Sequence, residues 1–360
     1  MQTFSTTYTD IIEQITTIDP VEYAKTRNYT NGMVSKLSPY ISRGVISTKM
    51  AYTILRKKYS AKDCEHFLKE LLWREYFQRL LQNNTDILST STSDTSNKIP
   101  DALLNATTGI TALDTHIHKL LTTGYMHNHV RMYTASVCNM ASYDYNAPAH
   151  WMYYHLLDGD VASNYYSWQW VYGLQTGKKY IFNQENINRF CGTTQTNTFL
   201  DKSYEEMEKL THVEELSTGS EINLFTSLPD TDEISIDTNA PILLYNSYNL
   251  DPTWHANQFV NRILILEPSH FSQYPVSEKV INFIVQLAQN IQGIQLYVGE
   301  YKTLKAQYNT TYIAKEHPLF IYEDAIIEPR DWLAPEVTES YPSYSKYLKK
   351  VKEKQYEYFT

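Results

Sequence analysis

The sequence predicts a mainly α protein: a helical domain followed by a small α/β domain with a parallel sheet. Three observations carry this. Only 11 of 360 residues are glycine, while long apolar windows recur at helical spacing. An acidic, turn-rich stretch over 212–239, HVEELSTGSEINLFTSLPDTDEISIDTN, interrupts the chain. Beyond it the texture changes to short β-rich runs closed by turn residues. The expected boundaries are a helical domain over 1–211, a linker over 212–239, an α/β domain over 240–330 and a tail over 331–360.

Each element follows from its pattern. CEHFLKELLWREYFQRLL (64–81) sets Phe67, Leu71, Tyr76 and Leu80 among Lys, Glu and Arg, as in an amphipathic helix. NTDILSTSTSDTSNKIP (84–100) is a polar loop. TALDTHIHKLLTTG (111–124) is a helix with Gly124 as its stop, and MHNHVRMYTASVCNMASYDY (126–145) is another. PILLYNSYNL and NRILILEPS read as strands, SEKVINFIVQLAQNIQG (277–293) as a helix closed by glycine, and IQLYVGE as the next strand. That succession is a parallel strand–helix–strand unit. TYIAKEHP adds a strand, and YSKYLKKVKEKQYEYF a basic helix. No internal repeat stands out.

Composition narrows the function classes. Thirty-one tyrosines suit either an aromatic core with wet hydroxyls or base stacking and electron hopping, and composition alone favours the core. A net charge of −9 argues against generic duplex-DNA binding, because phosphate neutralisation supplies most non-specific affinity. Cys64, Cys138 and Cys191 lie far apart with no CxxC, which excludes a disulfide scaffold and a cysteine-built zinc or iron–sulfur site. No signal peptide and no membrane-length apolar run is visible, so a reduced, cytoplasmic location and no membrane partner are expected. His127/His129 and His116/His118 raise the alternative of a metal site. An i,i+2 pair on a helix does not converge on one ion, and none is expected.

The chemistry-bearing residues crowd into four stretches: VSKLSPYISRG (34–44), KELLWREYF (69–77), TGYMHNHVRM (123–132) and LLDGDVASNYYSWQWVYG (156–173). Each has an ordinary explanation alone. Glu70 and Trp73 share a helix face at i,i+3, Asn128 and Met132 pack at i,i+4, and Arg131 with Asp158 makes a structural ion pair. In this order and spacing, with Tyr23 before them and IFNQ after, they resemble the FAD-binding helical domain of the photolyase/cryptochrome family. The resemblance covers about 1–190.

The resemblance implies a blue-light flavoprotein with FAD as cofactor. Asp158 and Asp160 match the acids at the flavin edge, Arg131 pairs with the first of them, and Asn164 faces flavin N5. Ser35, Lys36, Leu37 and Ser38 match the diphosphate segment, with Val34 and Lys36 where the family usually has Thr and Arg. Tyr23 and Arg74 complete the cofactor set. The repair enzymes' lesion pocket also maps across: Glu70 and Asn128 as dimer-contacting groups, Trp73 and Trp170 as stacking walls, Met132 as apolar floor, Arg27 as a backbone contact, and His129 in place of the usual arginine. Trp168 matches the flavin-proximal electron donor. Tyr145 falls where the middle tryptophan normally stands and Leu103 near the outer one, so the usual chain of three is broken. Local tyrosines, among them Tyr153, Tyr154, Tyr165 and Tyr166, and Trp151 supply another route.

Family members normally place the α/β domain first. Here ILLYNSYNLDPTW and RILILEP resemble that domain's opening strands but come last, and YPSYSKYLKKVKE resembles the segment leading into the FAD domain. The order implies a circular permutation with a shortened α/β domain, which needs no antenna pigment. The expected activity is that of a deoxyribodipyrimidine photolyase, a lyase for DNA repair acting on pyrimidine dimers, with single-stranded or loosened DNA preferred, as a monomer. The alternatives are a cryptochrome-like photoreceptor without repair, and a flavin-binding relic with a structural role.

Overall fold

The computed structural model describes residues 4–84, 97–231 and 233–360. Most of the expected polar loop, residues 85–96, lies outside them. Helix dominates, and a five-stranded parallel sheet is the main β element. Among the described residues no helix is long and apolar enough to cross a membrane. The chain divides into two compact units, each gathered from segments distant in sequence.

The described residues of the first unit are 19–35 and 97–223. Some of its helices begin where a side chain satisfies free backbone N–H groups. Asp19 accepts from Val21 and Glu22 N–H at 2.9 and 3.0 Å and opens Pro20–Thr26, with proline at the tolerated first position. Thr111–Thr123 ends at Gly124, whose φ of +73° suits glycine; an added Cβ would also lie 2.6 Å from Leu157 Cγ. Asn128–Met140, Asn146–His155 and Val161–Val171 follow. Strands β1 (Lys98–Pro100) and β2 (Gly219–Glu221) pair antiparallel. β2 falls inside the acidic stretch read as linker. Its backbone finds a partner strand 120 residues away, which side-chain polarity does not reveal.

The described residues of the second unit are 4–18, 36–84, 224–231 and 233–360. The amphipathic helix runs over Ala61–Asn83, opened by a capping box between Ser60 and Asp63. Strands β3 (Ile242–Tyr245), β4 (Asn261–Leu266), β5 (Ile294–Val298), β6 (Tyr312–Lys315) and β7 (Ile326–Glu328) form the sheet in the order β5-β4-β3-β6-β7. All four pairings are parallel. The chain builds outward from β3, then returns to its other side, the pattern of a doubly wound sheet. β3 and β4 are buried throughout, so they read as continuous apolar runs. Between β4 and β5 a short helix, Pro268–Gln273, precedes a longer one, Glu278–Ala288; the turn beyond it reaches Gly293 at φ +72°. Three tyrosines of the sheet region are core residues with satisfied hydroxyls. Tyr312 donates to Leu304 and Tyr308 carbonyls, Tyr301 to Glu323, and Tyr245 to Trp254.

Candidate functional site

The sequence-identified residues fall on both units. Tyr23, Arg27, Ser35, Asn128, His129, Arg131, Met132, Tyr145, Asp158, Asp160, Asn164, Trp168 and Trp170 belong to the first. Lys36, Leu37, Ser38, Glu70, Trp73 and Arg74 belong to the second.

In the first unit the DGD turn joins Asn146–His155 to Val161–Val171. Gly159 is dictated by crowding: an added Cβ would sit 3.0 Å from both the Leu156 and Tyr153 carbonyl oxygens. The turn sets two acids side by side in sequence with different partners. Arg131, on Asn128–Met140, donates from Nη2 to both Asp158 oxygens at 3.0 and 2.9 Å, and from Nε to the Met126 carbonyl at 2.9 Å. The Asp158 side chain is only 4% exposed, so this pairing is what makes its charge tolerable there. Asp160 caps Val161–Val171, accepting from Ser163 N–H at 2.7 Å. One turn on, Asn164 donates from Nδ2 to the Ala149 carbonyl at 2.9 Å. That bond fixes the amide and leaves Oδ1 as the end it can offer a ligand.

The residues fit the edge of a reduced flavin. Buried carboxylates suit its ring N–H groups, the arginine balances their charge, and the Asn164 carbonyl suits a protonated N5. In the second unit Lys36 takes φ +53° and Leu37 is right-handed, so their backbone turns consecutive N–H groups inward as anion-binding nests do. Beside the flavin-edge groups, burial pushes the Tyr125 hydroxyl up to about 12, and Arg131 lies 5.8 Å from its ring.

The aromatic residues separate into defined contacts. Trp168 and Tyr172 have ring centroids 6.3 Å apart, and Tyr172 and Tyr145 are 5.8 Å apart. Gln169 Nε2 donates to the Tyr145 hydroxyl at 3.0 Å. Tyr172 therefore links the two electron-transfer residues named from sequence, and tyrosine density was the one signal pointing toward it. In the second unit Trp73 stacks on Tyr344, with centroids 3.7 Å apart and planes at 12°. Tyr344 also donates to the Lys69 carbonyl at 2.7 Å. His129 has both ring nitrogens engaged, Nδ1 with the Asn28 carbonyl at 2.9 Å and Nε2 with the Tyr180 hydroxyl at 3.2 Å. Among the described residues no group of three or more His, Cys, Asp or Glu side chains could hold a metal ion.

Residues 67–212 match the family model described as the FAD binding domain of DNA photolyase. Through this segment the chain is similar to members of the photolyase/cryptochrome family. It is similar to cryptochrome DASH from Danio rerio, 31% identical over 167 residues, or 42% of this chain and 32% of that protein. It is also similar to the deoxyribodipyrimidine photo-lyase of Buchnera aphidicola subsp. Baizongia pistaciae, 32% identical over 158 residues, 39% of this chain and 33% of the other. The chain thus spans about a third of the length of the curated relatives it matches. Among solved structures, a bacterial class III photolyase from Agrobacterium tumefaciens is 26% identical across 51% of this chain and 42% of that one, with a TM-score of 0.45.

Proposed function

We propose that the protein binds FAD and uses blue light to split cyclobutane pyrimidine dimers in DNA. The observation that carries the reading is the Arg131–Asp158 pair, with Asp160 and Asn164 beside it on the same turn and helix. When bound, FAD supplies a light-driven electron for the lesion. The chain's own residues do the rest. Arg131 pairs with Asp158 and orients it as an acceptor for ring N–H groups. Asn164 turns a carbonyl toward N5 without adding charge. Lys36, Leu37 and Ser38, with Ser35, Tyr23 and Arg74, hold the remainder of the dinucleotide. Asn128, Trp170, Met132 and Arg27 of the first unit, and Glu70 and Trp73 of the second, match the positions that contact the flipped dimer in the repair enzymes. Base–aromatic stacking contributes roughly 1–3 kcal/mol per base.

The acidic net charge and the neutral His129 point to single-stranded or loosened DNA as the preferred substrate. The sheet at 242–328 follows the helices in sequence, the order that a circularly permuted arrangement would have. The test is chromatographic quantification of dimers in single- and double-stranded oligonucleotides under blue light. Light-dependent loss, faster on the single strand, is expected. No loss on either would overturn repair. One observation favours a cryptochrome-like photoreceptor instead: Tyr344 already covers one face of Trp73, a residue assigned to lesion stacking. On that reading the same assay shows flavin photoreduction without dimer loss.

A further inference from the structure

Tyr180 lies outside every motif above. Its hydroxyl meets His129 Nε2 at 3.2 Å, within reach for proton transfer. The tautomer follows from the other nitrogen. The Asn28 carbonyl can only accept, so His129 Nδ1 carries the proton at 2.9 Å and Nε2 presents its lone pair to the phenol. The imidazole is held in place by ring contacts, 4.4 Å from Tyr133 and 4.7 Å from Phe190. Burial also lowers its pKa, which keeps it a neutral base. The Tyr180 ring centroid is 5.9 Å from that of Trp170, two residues beyond Trp168 on Val161–Val171.

The contrast with the other tyrosine arm is chemical. The Tyr172 hydroxyl donates to the Tyr143 carbonyl at 3.0 Å. A peptide carbonyl is no base at neutral pH, so an oxidised Tyr172 must keep its proton, and a protonated phenol radical is a poor resting place for a hole. Tyr180 has an imidazole aimed at its proton.

We infer that Tyr180 and His129 form a proton-coupled electron donor that ends the photoreduction route. The inference rests on the flavin-binding reading. One electron leaves the Trp168–Trp170 segment for the light-excited flavin. Tyr180 returns one electron to the tryptophan radical cation, and its hydroxyl proton passes to His129 Nε2. The products are a neutral tyrosyl radical and an imidazolium whose Nδ1–H still donates to Asn28. An external thiol then reduces the tyrosyl radical, and the proton returns from His129.

The experiment is flash photolysis of the flavin-loaded full chain, with transient absorption and electron paramagnetic resonance, in H2O and in D2O. A tyrosyl signal is expected in the wild type, formed more slowly in D2O. Tyr180→Phe should abolish it. His129→Phe, which keeps the ring stack and removes the base, should abolish or greatly reduce the tyrosyl yield. The wild-type isotope comparison stands even if a variant misfolds. A tyrosyl signal surviving in Tyr180→Phe, an absent isotope effect, or flavin-loaded wild type with no tyrosyl signal overturns this inference alone. A chain that takes up no flavin overturns the parent reading and this one together.

Discussion

Asn164 has one fixed end and one available end. Its Nδ2 is held by the Ala149 carbonyl, so Asn164→Asp sets a carboxylate oxygen against a carbonyl oxygen in a buried position. We expect a loss of about 2 kcal/mol in a denaturant titration and weaker flavin retention. Arg131 offers a sharper case. Arg131→Ala strands the Asp158 carboxylate, and breaking such a pair costs about 3 kcal/mol where one partner is deeply buried. The double variant Arg131→Ala/Asp158→Ala should recover part of that loss, which a double-mutant cycle measures. Strictly additive losses would mean the pair is not coupled. At this scale the sequence was legible where chemistry sits in a short window. DGD, the amide four residues after its second acid, and the arginine on Asn128–Met140 are all readable as a motif. The His129–Tyr180 contact was not, because 51 residues separate the partners and neither residue type alone predicts the meeting.

At the scale of elements, the Ala61–Asn83 helix carries more than the WRE motif suggests. Glu75 on that helix is buried and accepts from Thr48 Oγ1 at 2.5 Å and from the backbone N–H groups of Leu333 and Ala334 at 2.7 and 3.0 Å. Burial pushes its carboxyl pKa up against these bonds, which favour the charged form. Glu75→Ala leaves two peptide N–H groups unsatisfied in the interior, and we predict a loss of roughly 3 kcal/mol in denaturant-measured stability. A loss below about 1 kcal/mol would show that water replaces the carboxylate. The same helix carries Trp73, and its stack with Tyr344 joins positions 271 residues apart. Helix positions were legible from periodicity and caps, and the sheet from its β-branched runs. β2 was hidden because strand pairing is a backbone property, and its three residues, Gly-Ser-Glu, carry no apolar alternation.

The whole molecule stores neutral histidines in its interior. In the first unit burial drives His116 and His127 down to about 4, with further lowering from Lys119 at His116 and from His116, His129 and Arg131 at His127. In the second, burial and then Arg43 drive His270 down to about 3, and His317 falls well below its ordinary value. The unfolded chain protonates these rings near 6.5 and the folded chain only near 3–4. Above 6.5 both states are neutral and the groups add no pH dependence. Below it the unfolded state binds more protons, so stability falls as pH drops through that window, by up to about 1.4 kcal/mol per pH unit for each histidine. Denaturant midpoints at pH 7.5, 6 and 5 should decline in that order; a flat series would show that the buried rings protonate in place.

The central property is the retention of FAD by this chain. The most direct measurement is the absorption spectrum of the purified, FAD-reconstituted full chain after gel filtration, beside Asp158→Ala. The account predicts a stoichiometric flavin band that survives the column and bleaches under blue light with a thiol present, and its loss in the variant. A colourless wild-type chain, or an Asp158→Ala chain that holds flavin equally well, would contradict it.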